Sequence, residues 1–143
     1  MNYRWINDLH NRPVALIVPR DFKPTGYNFL TPAEMALQVG VNSYGAQAAV
    51  AAHKHKQIVR TIQGTMEAIL IRAGRMILYL YDDEDRLLRN LEMCAGDLVL
   101  LTGGGHAMTF PEACDLVEIK QGPFVSLEQD KTALFAQKER REQ

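Results

Sequence analysis

The chain reads as an all-β fold, a sandwich or a barrel. Three observations lead there. Runs rich in Ile, Leu, Val and Tyr recur at 67–93, 97–101, 106–110 and 114–120, and each is short enough to be one or a few strands. Turn signals stand close together between them: Ala-Gly, Asp-Asp-Glu-Asp, Ala-Gly-Asp and Gly-Gly-Gly. Helical patterning is confined to KTALFAQKERREQ at 131–143, a C-terminal helix or tail with a frayed end.

At 143 residues the chain has the length of a single domain, with enough apolar residues for a core. Residues 1–34 form an irregular N-terminal arm, punctuated by Pro13, Pro19, Pro24 and Pro32. Within it VALIV, residues 14–18, has the character of an edge strand. The barrel core is expected over about 35–120. Its first clear pair is a hairpin over 67–81 turning at Ala73-Gly74, with Ile71 opposite Met76, Ile69 opposite Leu78 and Glu67 opposite Leu80. Opposed residues share a face, so Glu67, Ile69, Ile71, Met76, Leu78 and Leu80 line one side. Ala68, Leu70, Ile77 and Tyr79 line the other. Glu67 is then a carboxylate on an apolar surface, a costly position unless it is paired, protonated or bound to a cation. A salt bridge to Arg60 or Arg72 would also satisfy it.

AAHKHKQ, residues 51–57, places two imidazoles two residues apart. On a strand such positions point the same way, and on a helix they diverge. Strand neighbours favour the strand, with His53 and His55 looking inward and Lys54 and Lys56 in water. The remaining imidazole of interest is His106, which opens a strand after three glycines. His106, Met108 and Phe110 share its face. A phosphate cradle is excluded at Gly-Gly-Gly, because no helix follows and no Lys-Ser/Thr is present. Three neutral imidazoles and one carboxylate suit a divalent first-row metal. On an octahedral ion two positions stay open for water, O₂ or a chelating ligand. DDEDR, residues 82–86, lacks the spacing of a Ca²⁺ loop and reads as a solvated turn.

HKH at 53–55, then EAILIRAG at 67–74, then GDLVLLTGGGH at 96–106, resembles the two motifs of the cupin superfamily. The stretch running on through VEIKQGPF is similar to small cupins associated with surface-polysaccharide biosynthesis. The resemblance covers about 35–120 and implies a double-stranded β-helix, or jelly-roll, barrel. It places His53, His55, Glu67 and His106 at the metal-ligand positions, with Fe, Mn, Ni, Co, Cu or Zn as the ion. The sequence departs from the pattern in three places. Eleven residues separate His55 from Glu67 where three or four are usual, Leu101 or Thr102 stands where a proline is usual, and the turn of the second motif is one residue shorter. Gln57 and Gly64 repeat the interval of Glu67 and Gly74, but an amide is a weak ligand.

A metal-dependent isomerase, epimerase or dioxygenase acting on a sugar or a hydroxy or keto acid is the expectation. Glu67 would be its catalytic base, with Arg60, Gln63 and Met108 binding substrate. The alternatives are a non-catalytic binding or sensing module, and a metal-free sugar isomerase working through His and Tyr. Tyr3 and Trp5 on the arm, and the habit of cupins to pair, point to a homodimer. The formal net charge of -1 gives no field for nucleic acid or an anionic membrane. Apolar runs such as Val14–Val18 are too short to span a bilayer. The polar start and two lone thiols, Cys94 and Cys114, point to the cytoplasm rather than to a disulfide framework.

Overall fold

The computed structural model describes residues 1–134, which fold as two compact units, 1–22 with 65 onward, and 23–64. The fold is all-β and antiparallel. The first unit holds β1 (Arg4–Asn7), β2 (Pro13–Val18), β5 (Glu67–Ala73), β6 (Arg75–Tyr81), β7 (Leu87–Cys94), β8 (Leu98–Leu101), β9 (Gly105–Thr109) and β10 (Asp115–Lys120). The second holds β3 (Tyr27–Phe29) and β4 (Gly40–Asn42). The helical pattern expected at 131–143 does not begin in the described residues. A single helical turn, α1 (Leu127–Asp130), precedes it, residues 131–134 are not helical, and 135–143 lie outside the described residues.

In the first unit the strands form two facing sheets, in the orders β1-β2-β8-β5-β10 and β7-β6-β9. Among the described residues these sheets are not closed into a barrel. Ile17, Ile69, Ile71, Val99 and Leu101 from one sheet meet Met76, Leu78, Leu80 and Met93 from the other in one buried core. The VALIV run is an inner strand of the larger sheet, not an edge, since β2 bonds both β1 and β8. Its residues are buried throughout, which explains a continuous apolar run where an edge strand would alternate.

The hairpin expected over 67–81 does not form. β5 pairs with β8 and β10, while β6 pairs with β7 and β9. Gly74, at φ 73°, turns the chain from one sheet into the other. The apolar face was read correctly all the same. Glu67, Ile69, Ile71, Met76, Leu78 and Leu80 are all buried, because alternation fixes which side chains face the core whatever strand lies alongside. They meet across the sandwich instead of across a ladder.

Two turns at one end of this unit are copies of each other. Asp8 accepts from the backbone N–H of His10 and Arg12 and from the Arg12 guanidinium. Asp82 accepts from the N–H of Glu84 and Arg86 and from the Arg86 guanidinium. Asn11 and Asp85 take the same left-handed φ of 61°. Thus DDEDR is a turn, but its first carboxylate is buried and spent on the backbone rather than solvated. Arg12 also reaches Asp83 at 2.8 Å, tying the β1–β2 turn to the β6–β7 turn.

The second unit is thin in regular structure. β3 and β4 pair, Phe29 packs over Gly40, and Gln38 donates to the carbonyls of Pro32, Ala33 and Met35. From Ser43 to Gly64 no strand forms.

Candidate functional site

Glu67 begins β5 on the core face, opposite Leu101 of β8 and Lys120 of β10. It is one of three buried polar or charged residues among those described, at 7% exposure. Glu118 stands two residues before Lys120 on β10, so it projects from the same face, diagonal to Glu67. Burial, and then the Glu118 carboxylate, pushes the Glu67 carboxyl above the usual carboxylate range, against the opposing pull of Lys131 and Lys120.

His106 lies on β9 opposite Leu80, on the core face of the other sheet. Burial pushes its imidazole below the usual histidine range, the Lys131 ammonium adds to that, and Glu118 works against it. Glu67 and His106 therefore share two charged neighbours, Glu118 and Lys131, on the flank of the sandwich where β9 and β10 are the edge strands. Residues 131–134 pass this flank. Lys131 acts on both groups, and Leu134 is the nearest neighbour of Gly105. Glu118 and Lys131 were missed in the sequence. Glu118 was readable from the alternation of β10, but its pairing with β5 was not.

Met108 follows on the same face, opposite Leu78, and packs against the core. Tyr79 and Tyr81 stand opposite Ala107 and Gly105, so they project to the other face from His106.

His53 and His55 belong to the second unit and are exposed. They are not on a strand, contrary to the expectation from i, i+2 spacing. The Ala-rich, exposed stretch 46–57 has neither β-branched alternation nor a strand partner to hold it extended. The rings are nevertheless close, with centroids 5.5 Å apart in an edge-to-face arrangement. The His53 Nδ1 lies 2.9 Å from the Ala51 carbonyl oxygen. That oxygen only accepts, so Nδ1 carries the proton and, in the neutral ring, Nε2 keeps its lone pair. Arg60 lines an open depression of about 540 Å³ within this unit, with Glu34, Gln38 and Thr61. Gln63 is exposed.

Within neither unit do three or more His, Cys, Asp or Glu side chains gather into a group that could hold a metal ion, among the described residues. In the second unit the structure brings His53 and His55 together, while in the first Glu67 and His106 are linked only through their shared neighbours Glu118 and Lys131. No helix is long and apolar enough to cross a membrane, among the described residues. Comparison with protein-family models, with curated proteins and with solved structures returns no match.

Proposed function

We propose that the chain is a cupin-type protein that binds one divalent first-row metal through His53, His55, Glu67 and His106, and through it a small polar ligand such as a sugar or a hydroxy or keto acid. The observation that carries this reading is the state of the donors. His53 is held by the Ala51 carbonyl, and a carbonyl on one ring nitrogen fixes the tautomer and ring orientation that present the other to a metal. Burial disfavours the charged form of His106, and a ligand imidazole must be neutral. Glu67 is a buried carboxyl beside a second carboxyl, a place that favours either a proton or a cation. The strand orders β8-β5-β10 and β7-β6-β9, with the chain changing sheets at 74, 95–97, 102–104 and 110–114, add support, because double Greek-key jelly rolls are built by such switches.

A bound ion would supply Lewis acidity toward the ligand's oxygens. The protein's own groups orient that ligand and hold protons. Burial raises the proton affinity of the Glu67 carboxyl, which suits it to act as the base for isomerisation or epimerisation. Arg60, with Gln63, would bind an anionic substituent, and Met108 would offer an apolar wall. A metal-free isomerase has less support, since both central tyrosines face away from His106. The exposed apolar residues Leu70, Val117 and Ile119 on the outer face of β5 and β10 support a homodimer.

The test is elemental analysis of protein purified without added metal, run beside His53→Ala and His106→Ala. The wild type is expected to retain one first-row metal and each variant to lose most of it. Equal content in all three removes the site.

A further inference from the structure

The opposite flank of the sandwich carries a second candidate site, which the reading above does not use. There β1 and β2 face β7, and a cavity of about 270 Å³ opens between them. Ile17, Leu91 and Met93 line it as apolar wall, and Arg4, Arg20 and Cys94 also border it. Arg4 pairs with Ile17 in the β1–β2 ladder, so both project to the core face of the sheet. Arg4 is exposed at this open edge, so its guanidinium is accessible to an incoming anion.

The acids that border the cavity are already engaged: Glu92 bonds Arg75, Asp21 accepts from the Met1 amine and feels the more distant charge of Arg20, and Asp97 takes the backbone N–H groups of Arg20 and Cys94. Among the described residues neither Arg4 nor Arg20 forms an ion pair. Arg20 is held in place nonetheless. Its backbone is tied to Asp97, and its Cβ packs against Gly96, where φ is +91° and an added Cβ would stand 2.8 Å away.

We infer that this cavity binds a small organic oxyanion, its head on Arg4 and Arg20 and a short apolar body against Ile17, Leu91 and Met93. Carboxylates and phosphate monoesters share that chemistry. The cavity sits at the small end of the range for ligand sites, which excludes a nucleotide or a long acyl chain.

The experiment titrates hexanoate, hexyl phosphate, hexan-1-ol and inorganic phosphate separately into the ¹⁵N-labelled full chain. Amide shifts are expected around residues 4, 17 and 91–94. Hexanoate or hexyl phosphate should bind at least about tenfold more tightly than hexanol or phosphate, and Arg4→Gln and Arg20→Gln should each remove about that factor. Which of the two charged probes binds better decides between the carboxylate and phosphoryl heads. Alkylation supplies a second readout. The rate ratio of iodoacetate to iodoacetamide should be higher at Cys94 than at Cys114, and should fall to the Cys114 level in both arginine variants. No shift with either charged probe, equal binding of hexanol, or binding unchanged in both variants overturns the inference. Neither arginine is a proposed metal ligand, so this result stands or falls apart from the metal content.

Discussion

Replacing Gly104 by alanine tests how the turn before His106 is built. Gly104 has φ +60°, and a Cβ there would overlap the Tyr81 carbonyl oxygen. The left-handed backbone costs alanine about 1–2 kcal/mol. The overlap adds more, because the obstacle is main chain at the end of β6 and cannot rotate aside. Relief requires β9 to shift from β6, comparable to overpacking a core at about 1–3 kcal/mol. The expected total is about 2–5 kcal/mol. Its neighbour is the control. Gly103 is not left-handed, and its Cβ would meet only the Pro13 carbonyl oxygen at 3.5 Å, an ordinary contact, so Gly103→Ala should stay within about 0.5 kcal/mol of wild type. Gly105→Ala should fall between, because its Cβ meets the flexible end of Leu134 at 2.9 Å. Urea titrations followed by fluorescence of the single tryptophan, Trp5, and by circular dichroism give the three values. Equal losses at 103 and 104 would refute this account of the turn.

Two further outcomes follow from the core and the acidic flank. Leu78→Ala empties a fully buried position between the two sheets and should cost about 3–5 kcal/mol in the same titration, against under about 1 kcal/mol for the partly exposed Leu70→Ala; a Leu78 loss as small as that of Leu70 would mean that the sheets do not share one core. The Glu67 carboxyl binds its proton more tightly folded than unfolded, so the stability it contributes is complete below its usual 4.5 and is lost as pH rises through the raised folded value. Glu67→Gln cannot ionise, so the variant should match wild type in acid and become the more stable of the two as pH rises, measured as urea midpoints across the range without added metal. His106 carries the opposite slope: its folded value is lowered, so stability is present above the usual 6.5 and is lost as pH falls through the folded value.

The strands were legible because alternation is a local signal. Every run of Ile, Leu, Val and Tyr between 67 and 120 became a strand, and the core face of β5 and β6 was read residue by residue. Pairing was not legible. Ala73-Gly74 satisfies a two-residue hairpin turn and a corner between sheets equally well, and only the contact of Gly74 with the Ala113 carbonyl, distant in sequence, marks the corner. For VALIV the sequence did hold the answer, since five buried residues in a row fit an inner strand better than an edge. The twin turns were also written in the chain, as Asp-Leu-His-Asn-Arg at 8–12 and Asp-Asp-Glu-Asp-Arg at 82–86. Their shared Asp and Arg at i and i+4 are easily mistaken for solvated charge. His53 and His55 show the limit of spacing as a guide. Two rings can approach to 5.5 Å without a strand, because a loop can bring i and i+2 together as well.

Both candidate sites have one structural cause. A sandwich that is not closed into a barrel has edge strands whose core-facing positions are only partly covered. Along the middle strands those positions carry Ile69, Leu78 and Val99, all fully buried. At the edges they carry Arg4 on β1, His106 on β9, and Glu118 with Lys120 on β10. Inward charge on an edge strand can serve only to block pairing with another chain, and that purpose alone would explain any one of them. Neither flank carries one sign, since Asp21, Glu92 and Asp97 border the cavity beside the arginines, and Lys120 and Lys131 act on Glu67. What blocking alone does not explain is which charges are left over. The three acids at the cavity already hold partners, whereas among the described residues Arg4 and Arg20 form no ion pair beside Ile17, Leu91 and Met93. A charge that only blocked pairing would need no such wall next to it, so charge-reversing Arg4→Glu should leave the sandwich folded while abolishing oxyanion binding.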